Sequence, residues 1–238
     1  MNHGLDIEIY QGRHPQLGKA DIRVVIDVIR AFTTTHILLR CGARRILLAD
    51  TVEQARQLAA ASSQRLLAGE RNALAPEGFD YGNSPAQMSD ADVEGREVVL
   101  TTSNGVRATV HALFEGPVLV TGFSNAGAAV DALQRLVDEG ARTLQLIASH
   151  PDGDEDMACA QWIRARLFDE EQPDDGDVVR RIRHSKAAQK FLDPSRPEYR
   201  AGDIDLCARR DDAPWAMIVG ASDEAPTVER KLLEGQAP

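Results

Sequence analysis

The sequence predicts a three-layer α/β/α fold built on a mixed, largely parallel sheet. Three observations carry this. Apolar runs rich in Val, Ile and Leu recur along the chain with helical patterns between them. Runs such as VVIDV at Val24–Val28 and LQLIA at Leu144–Ala148 are almost continuously apolar rather than alternating, as expected of strands covered by helices on both faces. A chain of 238 residues buries roughly 70% of its extended surface on folding, enough for a large core.

Taken in order, the strands are expected at Leu5–Tyr10, Arg23–Val28, Arg45–Ala49, Arg65–Gly69, Glu97–Thr101, Pro117–Thr121 and Thr143–Ser149. The helices between them are expected at Thr33–Cys41, Val52–Ser62, Gly105–Phe114, Asn125–Glu139 and Glu155–Glu170. Thr51, with Gln54 three residues on, makes a capping-box pattern at the start of the second helix. Arg71–Asp92 holds Pro76, Gly78, Gly82, Asn83 and Pro85 and reads as a long loop of the kind that carries function. Glu171–Asp177 reads as a linker. Beyond it the pattern weakens: a helix near Val178–Leu192, a loop over Pro194–Arg200, strands near Ile204–Ala208 and Trp215–Val219, and a frayed tail after Ser222. There is no internal repeat, and residues 1–238 are expected to form one domain, with a weaker-reading part from about residue 178.

Composition excludes several classes. No run of about 18 apolar residues suggests a membrane span. The N-terminus lacks the basic start and apolar stretch of a signal peptide. The three Cys, Cys41, Cys159 and Cys207, form no CxxC, which leaves neither a disulfide framework nor a Cys-based zinc site, and a cytoplasmic location is expected. The net charge of −10 argues against nucleic acid. That charge is concentrated: Asp152–Asp177 holds ten acids and two Arg, a local −8, and is followed by a basic stretch from Val178 to Lys190. Much of the acidity lies in the expected linker, where salt screens it within about 8 Å.

In open α/β sheets ligands bind beyond the carboxyl ends of the strands. Here those ends hold Asp27 and Arg30; Gly69, Glu70 and Arg71; Thr101–Gly105; Thr121–Asn125; and Ser149–His150 leading to Glu155 and Asp156. Parallel strands would crowd all five ends on one edge. Ser, Thr, Asn and Gly at a strand-to-helix junction, as at Thr102, Ser103, Asn104, Ser124 and Asn125, leave helical N–H groups to receive an anion. Arg30 and Arg71 can fork onto anionic oxygens. Asp27, Glu70, Glu155 and Asp156 are hard oxygen ligands without companion His or Cys, a set that suits Mg2+. Together these describe phosphoryl chemistry on a small anionic substrate. Each feature also has a plainer reading: N-caps at Ser103 and Ser124, an ion pair of Asp27 with Arg30, first-turn acids at Glu155 and Asp156, a turn at Asn83-Ser84-Pro85. No P-loop, dinucleotide fingerprint, cysteine-phosphatase loop, paired-Asp nucleophile loop or nucleophile elbow is present.

Six blocks, DVIRAFTTT at Asp27–Thr35, Gly69-Glu70-Arg71, GFDYGNSP at Gly78–Pro85, TTSNG at Thr101–Gly105, Ser124-Asn125-Ala126, and Glu155-Asp156 with Cys159-Ala160, occur in an order that resembles the 2-phosphosulfolactate phosphatase (ComB) family. The resemblance runs from about Val24 to Leu167 and thins through Asp205–Cys207; GFDYGNSP and TTSNG are its most specific parts. It implies a three-layer α/β/α fold with a mixed sheet and Mg2+-dependent hydrolysis of the phosphate ester of 3-sulfolactate, a step in coenzyme M biosynthesis. Asp27, Arg30, Glu70, Arg71, Asn83, Ser84, Thr102, Ser103, Asn104, Ser124, Asn125, Glu155 and Asp156 fall on the shared motifs.

The roles given to them rest on physical inference. Asp27 and Arg30 are expected to be catalytic, Asp27, Glu70, Glu155 and Asp156 to hold metal, and the rest to bind substrate. Water activated by metal or by Asp27, or a phospho-aspartyl intermediate at Asp27, would serve equally. Phe32, Gln161 and Ser149-His150-Pro151 depart from the family pattern. Phe32 is expected to narrow a pocket and His150 to add a donor or proton carrier. The alternatives are a phosphatase for another small phosphorylated hydroxy acid and a non-catalytic anion-binding homologue. A homo-oligomer is expected on frequency alone.

Overall fold

The computed structural model describes residues 4–168, 174–211 and 213–233. Residues 171–173 of the expected linker lie outside them. The elements run β1 Asp6–Gln11, β2 Ile22–Ile26, α1 Ala31–Arg40, β3 Arg45–Leu48, α2 Val52–Ala60, β4 Arg65–Gly69, α3 Pro85–Met88, β5 Glu97–Thr101 and α4 Gly105–Ala112. There follow β6 Val118–Thr121, α5 Ala126–Asp138, β7 Thr143–Ala148, α6 Asp154–Phe168, α7 Asp175–His184, α8 Lys186–Leu192, α9 Ala201–Cys207, β8 Trp215–Gly220 and β9 Thr227–Leu232.

The strands form one mixed sheet in the order β1-β7-β2-β6-β8-β9-β3-β5-β4, with helices packed on both faces. Strands β2, β5 and β6 are buried at every position, which is why they read as continuous apolar runs. One side of the core packs α5 and α6 through Phe123, Leu133, Trp162 and Ile163; the other packs α1 and α4 through Phe32, Leu38, Val106 and Ala108. Thr51 caps α2 by accepting from Gln54 N at 3.1 Å, and the Gln54 carboxamide accepts from Asp50 N at 2.9 Å, one residue before the cap.

The C-terminal part corrects three expectations. The segment expected as a strand near Ile204–Ala208 is α9, whose buried Asp203, Ile204 and Cys207 share a helical face. The expected helix Val178–Leu192 is two helices, broken at Ser185, whose extended backbone and Oγ cap α8 by accepting from Ala188 N at 3.2 Å. The expected frayed tail contains β9, which pairs with β8 over six positions and with β3 over two.

The sheet is parallel in two blocks. β1, β7, β2 and β6 run one way and β3, β5 and β4 are parallel to one another, but the antiparallel pair β8–β9 joins the blocks and formally reverses them. The carboxyl ends nevertheless meet. A Cβ built on Gly105, just past β5, would lie 2.6 Å from Asp27 Oδ2, just past β2. Sheet twist accumulates over the strands between β2 and β5, and the sheet curls enough to bring these two ends together. Among the described residues no helix is long and apolar enough to cross a membrane.

Candidate active site

The curl forms a cleft of about 440 Å³ between the ends of β2, β4, β5 and β7, roofed by α8. Of the expected site residues, Asp27, Arg30, Glu70, Asn83, Thr102, Ser103 and Asn104 line it, and His150 joins them.

Asp27 follows β2 and is 5% exposed. Its Oδ1 accepts from Ala31 N at 2.9 Å and its Oδ2 lies 3.2 Å from Ser149 Oγ. Only glycine at position 105 leaves room for it, since a Cβ there would also meet Ala31 Cβ at 2.8 Å. Burial pushes the Asp27 carboxyl above its ordinary range, and the nearby Glu70 charge adds to this, while the Ala31 and Ser149 hydrogen bonds pull it back.

Glu70 ties two loops together. Its Oε1 accepts from Ser103 N at 2.6 Å; its Oε2 accepts from Ala73 N at 2.8 Å and from Ser103 Oγ at 3.2 Å. Gly69 before it has φ +146°, and a Cβ there would lie 2.1 Å from Thr101 O, so β4 meets β5 at a point where only glycine fits. Asn104 begins α4 without a side-chain cap bond. Its Oδ1 instead accepts from Arg13 Nη1 at 3.4 Å. Thr102 Oγ1 caps the turn by accepting from Val106 N at 3.0 Å.

Arg30 is held rigidly. Its Nη1 donates to Asp203 Oδ2 at 2.6 Å, its Nη2 donates to Ala73 O at 3.0 Å, and its guanidinium stacks 4.5 Å from the Phe191 ring centroid. Asp203 is fully buried, and its second oxygen accepts from Ser84 Oγ at 2.6 Å and Ala86 N at 3.1 Å. The expected pairing of Arg30 with Asp27 is therefore replaced by one with Asp203. Asn83 is 4% exposed and its Oδ1 has no hydrogen-bond partner, so an acceptor stands ready in the cleft wall.

The remaining expected residues stand behind the cleft or away from it. Arg71 turns outward, bonding Glu70 O, Asp50 O and Thr101 Oγ1, so it braces β4 against β5 rather than facing the cleft. Ser84 is the N-cap of α3. Ser124 Oγ lies 3.0 Å from His36 Nδ1, a ring that burial pushes down to about 4 and keeps neutral. Asn125 Oδ1 accepts from Thr121 Oγ1 and Gly122 N, closing the turn after β6. At this strand end the side-chain oxygens of Ser124 and Asn125 are spent on neighbouring groups, and the buried Asn125 Nδ2 alone has no partner among the described residues.

Asp156 is a buried staple. It accepts from Val28 N at 2.7 Å and His150 N at 3.0 Å, fixing the end of β2 to the end of β7, and Ser149 Oγ lies 3.2 Å from both it and Asp27. Burial, then the charges of Asp27 and Glu155, push it well above the carboxylate range. Glu155 is 1% exposed with neither oxygen hydrogen-bonded, and burial raises it too. The four carboxylates do not make one cage: among the described residues no three His, Cys, Asp or Glu are grouped to hold a metal by themselves. Asp27 and Glu70 face the cleft, and Glu155 and Asp156 lie behind it.

Of the departures from the family pattern, Phe32 packs into the core and does not narrow the cleft. Gln161 accepts from Arg181 at 2.6 Å elsewhere on the surface. His150 lines the cleft, with Nδ1 2.9 Å from Asp152 Oδ1. Sequence reasoning missed Asp203, Arg13 and Lys190. Asp203 falls just before the segment expected as a strand, Arg13 lies in no motif, and Lys190 stands only as the end of the basic stretch.

A family model described as 2-phosphosulpholactate phosphatase matches residues 8–219. The chain is 37% identical over 229 residues to a probable 2-phosphosulfolactate phosphatase of Bacillus subtilis (strain 168), covering 96% of this chain and 100% of that protein. It is similar to two more proteins of the same name. One is from Thermus thermophilus, 34% identical over 178 residues, covering 74% of this chain and 73% of that protein. The other is from Deinococcus radiodurans, 48% identical over 92 residues, covering 39% of this chain and 38% of that protein.

Proposed function

The chain belongs to the 2-phosphosulfolactate phosphatase family, and on that premise we propose that it is a phosphoric monoester hydrolase acting on the phosphate ester of a small acidic hydroxy acid, 2-phosphosulfolactate, with Mg2+. The observation that carries this is the meeting of Asp27, Glu70 and the Thr102–Asn104 turn in one cleft about the size of a small ligand.

The residues fit Mg2+. That ion is held by one or two carboxylates together with water and substrate phosphate, so a protein cage of three ligands is not required. Asp27 and Glu70 are the pair facing the cleft, with the unpaired oxygens of Glu155 behind it. Bound there, Mg2+ would neutralise phosphate charge that the acidic chain would otherwise repel.

The chain's own groups supply positioning and proton transfer. The Asn104 N–H at the start of α4 and the guanidinium of Arg30 receive phosphate oxygens, while the Ser103 N–H and hydroxyl hold Glu70 in place. Asp27 takes the proton of the attacking water. Its oxygens keep free lone pairs beyond the bonds they already accept, and burial raises its affinity for a proton. Water bonds to phosphorus, the phosphorus–oxygen bond to the hydroxy acid breaks, and the leaving alkoxide is protonated from solvent.

The test is phosphate release from 2-phosphosulfolactate, other phosphorylated hydroxy acids and an aryl phosphate, with Mg2+ or with EDTA. Release from 2-phosphosulfolactate that EDTA abolishes and excess Mg2+ restores is expected. Release indifferent to EDTA would remove the metal. Faster release from another hydroxy-acid ester would move the substrate, a shift that His150 in the cleft would accommodate. No release from any ester would leave an anion-binding protein.

A further inference from the structure

The cleft carries positive charge that phosphate chemistry does not use. Arg30 is already paired with Asp203 at 2.6 Å. Two further cations line the same cleft from separate elements: Arg13 from the loop after β1, and Lys190 from α8. Among the described residues neither has a carboxylate at ion-pair distance. Arg13 donates only to the neutral oxygens of Ser103 and Asn104, both at 3.4 Å, the long end of the hydrogen-bond range. The Lys190 ammonium rests 5.3 Å from the Phe191 ring centroid and 5.7 Å from that of Tyr199.

We propose that Lys190 and Arg13 form the subsite for the second acid group of the substrate, a carboxylate or sulfonate, so that this cleft selects esters carrying more than one anionic group. The inference rests on the phosphatase reading and adds what that reading leaves open, which part of the cleft sees the rest of the molecule. Burial lowers the proton affinity of Lys190, and the like charge of Arg30 lowers it further, with Glu70 opposing. An anion bound there relieves both costs. Phe191 and Ala187 beside it exclude water from one side, which strengthens a charge pair relative to one in bulk solvent. Neither residue lies in the motifs that mark the phosphate end, and α8 belongs to the part of the chain where the sequence pattern is weakest.

The experiment compares wild type with Lys190→Met, Lys190→Arg and Arg13→Gln in two measurements. The first is steady-state kinetics on 2-phosphosulfolactate and on an aryl phosphate, which has no second acid group. Lys190→Met is expected to raise KM for 2-phosphosulfolactate about ten-fold with kcat within about three-fold, the size of a charge-assisted hydrogen bond lost at a partly exposed site. The loss on the aryl phosphate is expected to be smaller, and Lys190→Arg is expected to recover most of the diacid preference. The second measurement is calorimetric binding of 3-sulfolactate, a dianion without phosphate, which needs no turnover. Wild type is expected to bind it, and Lys190→Met and Arg13→Gln about ten-fold more weakly. Equal losses on both esters, or sulfolactate binding indifferent to both substitutions or absent in wild type, would overturn the subsite. Absence of hydrolysis with charge-dependent sulfolactate binding intact would overturn the phosphatase reading and leave the subsite standing.

Discussion

Two sets of buried carboxylates lie at opposite ends of the strands and are treated in opposite ways. Glu97, at the amino end of β5, is ringed by guanidiniums: Arg65 donates to it at 2.8 Å, Arg45 at 2.6 Å, and Arg44 bonds it as well. Burial pushes its carboxyl up, but Arg65, Arg44 and Arg45 together outweigh this and hold it at about 2. Asp27, Glu155 and Asp156, at the carboxyl ends of β2 and β7, have hydroxyl and backbone donors or none, and all three are pushed up. Charge that serves the fold is neutralised in place. Charge in and behind the cleft is left for something brought from outside, a cation or a proton.

The largest effect expected from this contrast is on turnover. Asp27→Asn keeps the shape and removes the charge, and is expected to lower kcat at least about 10³-fold with no fall in melting temperature. Melting of the folded variant well below wild type would put Asp27 in the same structural class as Glu97 and break the comparison. Glu97→Ala is expected to do the reverse, costing about 2–3 kcal/mol because Arg65 loses its buried carboxylate and keeps only the exposed Glu224, with the exposed Arg44 discounted for screening. Thermal melts should show this as a fall of about 5–10 °C with activity per folded molecule retained. The contribution of Glu97 is fully present above its ordinary value of 4.5 and is lost as pH falls towards about 2, so wild type and variant should converge in acid.

The smallest effect has the opposite sign. Glu155→Gln removes a buried charge without hydrogen-bond partners and, in EDTA at pH 8, is expected to raise the melting temperature by about 2–4 °C. A carboxyl raised on folding destabilises above its unfolded value and not below it, so this gain should vanish as pH falls below about 4.5. A persistent gain in acid would assign it to packing instead of charge.

Legibility in the sequence followed the same division. The strands β2 to β7 were readable because burial on both faces leaves no alternation. Asp27, Glu70 and Ser103 were readable because strand ends announce themselves by a sharp change from apolar to small and polar residues. Arg71 and Ser124 were misplaced because residue type does not tell which way a side chain turns, and both are spent on local bonds. α9 escapes sequence reading because the alternation in Ile204-Asp205-Leu206-Cys207 imitates a strand, while the helical face containing Asp203 buries a charge that partners more than 100 positions away, Arg30, Ser84 and Ala86, explain. β9 escapes sequence reading because four of its six residues are exposed and three of those four are charged. The cleft cations were invisible because a lone Arg or Lys resembles any surface charge until the curl of the sheet gives it neighbours.

The antiparallel pair β8–β9 sits in the middle of the sheet, yet it is made from residues 215–232, later than every other strand. As the chain emerges from the ribosome, the β1-β7-β2-β6 block and the β3-β5-β4 block can each collect their own parallel partners, but neither has a neighbour across the gap. Until Trp215–Leu232 arrives, the edges of β6 and β3 have no strand partner, and the two blocks meet only through the helices and side chains packed between them. The sheet is thus closed last at its middle, by the latest strands in the sequence, and its two parallel blocks are made before the pair that links them.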